Sequence, residues 1–160
     1  MIKVLFVCTG NICRSPTAEG IFRKYVDDEG LSEKIYIESA GLLDYHEGDN
    51  ADHRTQLHAK KRGFDLSQIL SRPIVRDDFK NFDYLIAMDG SHLQAMIELC
   101  PESHKPGKVI KLMLDYSNQW KGKGVPDPYH TGEDGFELVL DMLEESCREL
   151  LIHIKANHKL

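Results

Sequence analysis

A thiol and a guanidinium with five residues between them lie near the start of the chain, in Val7-Cys8-Thr9-Gly10-Asn11-Ile12-Cys13-Arg14-Ser15-Pro16. If the segment from Cys8 to Arg14 curls, its backbone N–H groups turn inward and form a concave nest for an anion, for which phosphate is the natural guest. Arg14 adds a planar fork that meets two phosphate oxygens at once. Ser15-Pro16 reads as an N-cap followed by proline at the first helical position, so a helix starts where the loop ends and aims its positive end at the same spot. A field of that sign favours the thiolate of Cys8, and the Ser15 hydroxyl is placed to donate to the sulfur. The chemistry expected of such a loop is attack by sulfur on a bound anion. Taken singly, Cys8 would pass for a buried structural thiol and Arg14 for a surface charge; their order with Gly10, Asn11, Ser15 and Pro16 sets the loop apart from both.

A second candidate is Asp127, in Val125-Pro126-Asp127-Pro128-Tyr129. Cleavage of an aryl phosphate by a thiolate expels a phenolate, which departs far more easily when a nearby acid supplies a proton. Asp-Pro by itself is an ordinary turn signal. On a long loop, in a chain that carries the Cys8 loop, it is a candidate acid.

These groups must be positioned by regular elements. Residues 2–7 form a nearly continuous apolar run, the mark of a strand buried on both faces. Ala18, Ile21, Phe22, Tyr25 and Val26 follow at helical spacing. The pattern then predicts a strand at 35–38, a helix at 53–62 closed by Gly63, a strand at 84–88, a helix to 99 capped by Ser91, and a strand at 109–112. A long Gly- and Pro-bearing loop at 116–133 precedes a closing helix over 136–154. Strands alternating with helices imply an α/β fold, a parallel twisted sheet with helices on both faces in a single domain spanning residues 1–160. Ligands of such sheets bind at the carboxyl ends of the strands, where Cys8 lies.

Composition sets bounds. At 160 residues, 41% hydrophobic and 29% charged, the chain suits one globular core. No stretch approaches the roughly 18 apolar residues that cross a membrane, and Met1-Ile2-Lys3 is too short for the basic start of a signal peptide, so no membrane association and a cytoplasmic location are expected. Four cysteines without a dense framework suggest reduced thiols. A net charge of −6 argues against nucleic acid as a partner, and Lys60-Lys61-Arg62 reads as a helix end. Eight histidines form no metal-ligand spacing and no CxxC occurs, so no metal is expected. A nucleotide-binding protein finds no support either, since neither GxGxxG nor a Walker loop is present.

The Cys8 loop resembles the C-x5-R-[ST] signature of protein tyrosine phosphatases, and VCTGNICRSP so near the start resembles their low-molecular-weight class. The likeness continues through Ser39-Ala40-Gly41, Asp78-Phe79, Phe82-Asp83-Tyr84, Met88-Asp89, Asp127-Pro128-Tyr129 and Gly135-Phe136-Glu137, and so covers nearly the whole chain. It implies a four-stranded parallel sheet, a phosphatase acting on phosphotyrosine in proteins and on small aryl phosphates, a cysteinyl-phosphate intermediate, no cofactor and a monomer. It assigns Cys8, Arg14 and Asp127 to catalysis. Thr9, Gly10, Asn11, Ile12, Cys13 and Ser15 form the phosphate loop, and Tyr45 and Tyr129 wall the cleft for an aromatic ring. Asn11 is implied to take a left-handed backbone and tie the loop to Ser39, with Gln68 standing where many members complete this network with histidine. His130 stands where many carry a second tyrosine, and residues 46–52 lack a proline common in the family. A neighbour such as Cys13 forms, in the resembling family, a reversible disulfide with the nucleophile, which implies redox regulation. Related arsenate reductases need two further cysteines in mid-chain, and residues 80–98 hold none. Arginine phosphatases of the same class tend to carry threonine where Ile12 stands, which leaves phosphoarginine as the alternative substrate. A silent phosphate-binding module would keep Arg14 but would need neither Cys8 nor Asp127.

Overall fold

The apolar run after Met1 forms β1 (Ile2–Cys8), whose Val4, Leu5, Phe6 and Val7 are wholly buried. The chain continues through α1 (Arg14–Asp28), β2 (Ile35–Gly41), α2 (His53–Lys61), α3 (Asp78–Asn81), β3 (Tyr84–Ala87), α4 (Gly90–Leu99), β4 (Val109–Leu112) and α5 (Glu133–His158), with short 3-10 turns at Glu102–His104, Met113–Tyr116 and Pro128–His130. This computed structural model describes every residue except His130, so the expected departure at that position lies outside the described residues.

The four strands are all parallel and ordered β2-β1-β3-β4. Because side chains alternate along a strand, β1 sends Val4, Phe6 and Cys8 to one face and Leu5 and Val7 to the other. The first face is covered by Ala18, Ile21 and Phe22 of α1 and by the apolar stripe Val139, Leu143, Leu150 and Ile154 of α5. Phe79, Phe82, Leu85 and Met96 cover the second. The chain leaves β1 toward β2 on one side and later returns to β3 on the other, so the sheet order reverses at the carboxyl end of β1. A crevice opens there, and Cys8 stands at its floor.

Several boundaries differ from the sequence expectation for identifiable reasons. β2 runs three residues further, to Gly41, because its end pairs residue by residue with β1 up to Cys8. Asp89, rather than Ser91, caps α4: its carboxylate accepts from the His92 N–H, and Ser91 Oγ donates to the same carboxylate at 2.6 Å. α2 ends at Lys61, and Gly63 takes the positive φ of 89° that a helix-terminating glycine provides. Of the basic cluster beside it, Arg62 fastens the end of α2 to α5. Arg62 reaches Glu137 at 2.8 Å, Asp141 at 2.9 Å and Glu144 at 2.5 Å, carboxylates on successive turns of α5.

Candidate active site

The turn out of β1 is shaped from outside by its carbonyl groups. Cys8 O accepts from Leu42 N (3.0 Å), Thr9 O from Leu43 N (3.0 Å), Gly10 O from Ser71 Oγ (3.0 Å) and Ile12 O from Asp52 N (2.8 Å). Cys13 O takes both the N–H and the hydroxyl of Thr17. With the carbonyls tied outward, the N–H groups of residues 9–14 turn the other way, and among the described residues none finds an acceptor within the chain. Two positions make this winding possible. Asn11 has φ 57°, a left-handed conformation that asparagine tolerates better than most residues. Gly41 lies so close beneath the turn that a Cβ there would stand 2.9 Å from Thr9 O and 3.1 Å from Asn11 N.

Side chains beneath the loop form one chain of hydrogen bonds. The buried Asn11 amide donates to Ser15 Oγ (2.8 Å) and Ser39 Oγ (2.9 Å), while its oxygen accepts from the Arg72 N–H (3.0 Å). Ser39 in turn donates to Glu19 at 2.6 Å, and Glu19 is paired with Arg23 at 2.7 Å. Ser15 Oγ lies 3.0 Å from Cys8 Sγ; since that oxygen already accepts from Asn11, its proton is free to point at the sulfur. Two expectations are corrected here. Ser15 is not the N-cap, because α1 begins at Arg14 and Cys13 occupies the cap position without a capping side chain. Ser15 instead sits in the first turn, where its hydroxyl serves Cys8. Gln68 does not complete the network either: it is exposed and bonded only to Ser67, while Glu19 and the Arg72 backbone satisfy Ser39 and Asn11.

Arg14, only 4% exposed, is gripped on several sides. Its Nη1 donates to Asp89 (2.8 Å) and to Val125 O (3.0 Å), and its Nη2 reaches Thr9 Oγ1 at 3.4 Å and Asp127 at 3.8 Å. Burial alone would raise the Asp89 carboxyl. The hydrogen bonds of Ser91 and His92, with His92 and Arg14 alongside, outweigh it and hold the group down at about 2. A permanently ionised Asp89 therefore backs Arg14. Cys13, by contrast, is driven by burial up to about 12.

The loop floors a cavity of about 210 Å³, with Cys8, Ile12 and Arg14 at the bottom and Tyr45, Tyr129 and Asp127 around it. Tyr45 is 81% exposed and Tyr129 half-exposed, and both line the cavity at its rim. Asp127 opens the turn Pro128–His130 and accepts from the Tyr129 N–H at 3.0 Å. Its segment is anchored below by Val125 N to Met88 O (2.8 Å) and above by Arg54, which donates to Tyr129 O at 3.0 Å and lies over the rings of Tyr129 and Phe136. Leu43 and His46 complete the wall. Asp89, Glu19, Arg54, Ser71, Arg72 and Leu43 were not among the residues expected at the site, whereas His46 lies in the stretch 46–52 singled out in the sequence. Of the former, only Asp89, sitting in the quoted Met88-Asp89 pair, carried any local signal. Among the described residues no three His, Cys, Asp or Glu side chains gather as a metal site, and no helix is long and apolar enough to cross a membrane.

Cys8, Arg14 and Asp127 thus line one cavity, a thiol, a guanidinium and a carboxyl facing the same space. Residues 3–160 match the family described as low molecular weight phosphotyrosine protein phosphatase. A low molecular weight protein-tyrosine-phosphatase of Streptomyces coelicolor is 40% identical over 155 residues, covering 96% of this chain and 93% of that protein. The crystal structure of a protein tyrosine phosphatase from Entamoeba histolytica superposes with a TM-score of 0.92 at 45% identity, covering all of both chains. A Drosophila arginine phosphatase superposes with a TM-score of 0.88 at 36% identity, covering 96% of this chain and 98% of that one.

Proposed function

The chain belongs to the low molecular weight phosphotyrosine protein phosphatase family, enzymes of phosphate-ester hydrolysis, and on that footing we propose that it hydrolyses phosphotyrosine in proteins and small aryl phosphates through a phosphorylated Cys8. One observation carries the reading. The Cys8 sulfur lies at the floor of a nest whose carbonyls at residues 8, 9, 10, 12 and 13 are tied outward, with Arg14 beside it and Asp127 at its mouth.

In the first step the Cys8 thiolate attacks phosphorus in line. A P–S bond forms, the P–O bond to the ring breaks, and its electron pair leaves on the phenolic oxygen, which takes the Asp127 proton. The Asp127 carboxylate then takes a proton from water as the water oxygen attacks phosphorus. The P–S bond breaks, thiolate returns to Cys8, and inorganic phosphate departs. The loop amides and the Arg14 fork hold the three equatorial oxygens throughout, where charge collects in a loose phosphoryl transition state. Ser15 Oγ, 3.0 Å from the sulfur, steadies the thiolate both as nucleophile and as leaving group. Tyr45 and Tyr129 flank the ring, each contact adding about 0.5–1.5 kcal/mol beyond burial. Every step uses a group of this chain, acting as a monomer. The four free thiols are in keeping with a reducing cytoplasm.

Likeness to an arginine phosphatase supports a second reading, dephosphorylation of phosphoarginine. The apolar Ile12 in the cavity favours the aromatic substrate. Steady-state assays on matched phosphotyrosine and phosphoarginine peptides decide between them. We expect kcat/KM to favour phosphotyrosine and Cys8→Ser to abolish turnover of both. Preference for phosphoarginine would overturn the substrate assignment, and undiminished turnover by Cys8→Ser would overturn the mechanism.

A further inference from the structure

His92, on α4, is a buried histidine that the reaction does not use: it is 2% exposed and lies behind the phosphate loop rather than in the cavity. Its Nε2 is 2.8 Å from Thr9 Oγ1. Its Nδ1 faces Asp89 Oδ1 at 3.4 Å, out of line for a hydrogen bond. Asp89 Oδ2 accepts from Arg14 Nη1 at 2.8 Å, and Arg14 Nη2 returns to Thr9 Oγ1 at 3.4 Å. Arg14, Asp89, His92 and Thr9 therefore stand in a ring behind the clamp, joined between His92 and Asp89 by the His92 backbone N–H, which donates to Oδ1 at 3.1 Å, with Nδ1 facing the same oxygen.

The charge of Asp89 favours one direction for the protons in this ring. Ionised Asp89 offers nothing but lone pairs, so the Nδ1 that faces it carries the ring proton and Nε2 is left as an acceptor. Thr9 must then donate its hydroxyl proton to Nε2. That turns the oxygen lone pairs of Thr9 toward Arg14, the arrangement in which Nη2 can donate to it. The opposite tautomer would set a lone pair against the carboxylate.

From this ring we propose that His92 is a positioning residue for Arg14: by fixing the rotamer of the Thr9 hydroxyl it sets the second arm of the guanidinium, while Asp89 sets the first. The inference rests on the assignment of Arg14 as the phosphate clamp. Both arms of the fork are held before an anion arrives, and little ordering is left to be done on binding.

The test is a double-mutant cycle on Thr9→Val and His92→Leu, reading competitive inhibition of aryl phosphate hydrolysis by inorganic phosphate and the kcat/KM of that substrate. Each single change should weaken both by about 3- to 10-fold, the range for one net hydrogen bond. The double variant should lose no more than either single variant, and His92→Gln, which keeps a polar atom near the place of Nε2, should recover most of the loss. Additive losses, or full phosphate affinity in Thr9→Val, would overturn the proposal. A general loosening of the core would lower Tm without this non-additivity. If His92→Leu does not fold, Thr9→Val and His92→Gln carry the same comparison. Arg14→Ala, read by calorimetric binding of inorganic phosphate because its turnover should be lost, tells the clamp assignment from the role of His92: if phosphate still binds fully the clamp assignment fails, whereas if binding is lost and Thr9→Val does nothing, only the role of His92 fails.

Discussion

Replacing Asn11 by alanine should cost this protein a large share of its stability, and the structure says why. The wild-type side chain makes three hydrogen bonds, to Ser15 and Ser39 at 2.8 and 2.9 Å and from the Arg72 N–H at 3.0 Å. At a net value of about 1 kcal/mol each, their loss removes about 3 kcal/mol. Alanine must also hold φ 57°, which costs an ordinary L-residue about 1–2 kcal/mol and asparagine less. The expected sum is about 3–5 kcal/mol, to be compared with a typical total of about 5–15 kcal/mol. Asn11→Gly separates the two contributions. It loses the same three bonds but accepts the left-handed backbone, so after the entropy of a freer unfolded chain it should be about 1 kcal/mol more stable than Asn11→Ala. Urea unfolding of the three proteins at pH 7, with unchanged m, measures both differences. A loss under about 1 kcal/mol in Asn11→Ala, or a glycine variant no better than the alanine one, would refute the account of how this loop is held.

Asp127→Asn should slow hydrolysis of phenyl phosphate by a factor of about 10² or more and leave esters with very good leaving groups nearly unaffected, which a series of substituted phenyl phosphates would measure. Arg54→Ala, which frees the Tyr129 carbonyl from above, should show the same leaving-group dependence in weaker form and should add nothing in an Asp127→Asn background. Burial, helped by the charge of Arg14, lowers His92 from 6.5 to about 4, so the unfolded chain binds a proton before the folded one does as pH falls. Stability should therefore be full above pH 6.5 and decline toward pH 4, by up to about 1.4 kcal/mol per pH unit, with Asp89 adding a further decline below its ordinary 3.8 toward about 2. His92→Gln should flatten the upper part of that decline in unfolding curves taken from pH 7 to 4. Peroxide should join Cys8 to Cys13, sparing Cys8 from sulfinic acid. Mass spectrometry that finds sulfinic acid at Cys8 without the cross-link would rule this out.

What could be read from the chain and what could not follow from range. β1 and the stripe of α1 are local patterns, and the residues of the phosphate loop carry their chemistry within a single turn, so order and spacing were enough. The supporting contacts are distant in sequence. Ser71 meets Gly10 and Arg72 meets Asn11 across 61 residues, and Arg54 meets Tyr129 across 75. No periodicity or spacing signals such pairs. Ser15 misled because Ser-Pro is the usual grammar of a helix start, whereas here Cys13 O accepts from the Thr17 N–H, so the helix begins at Arg14 and the Ser15 hydroxyl is left to meet Cys8. Gln68 misled because its place was inferred by matching positions, while the polar demand under Ser39 was already met by Glu19 from within α1.

The outward ties of the loop are made mostly by main-chain donors, the N–H groups of Leu42, Leu43 and Asp52. A donor of that kind survives almost any change of its own side chain, proline apart. Leu43 holds Thr9 with its backbone and faces the cavity with its side chain, so one residue performs two tasks that do not depend on each other. The cradle and its wall can therefore diverge independently: Leu43, Tyr45 and His46 can be exchanged to admit differently shaped ligands while the geometry around the sulfur stays fixed. A library varying these three positions should accordingly change which esters are preferred far more often than it destroys turnover.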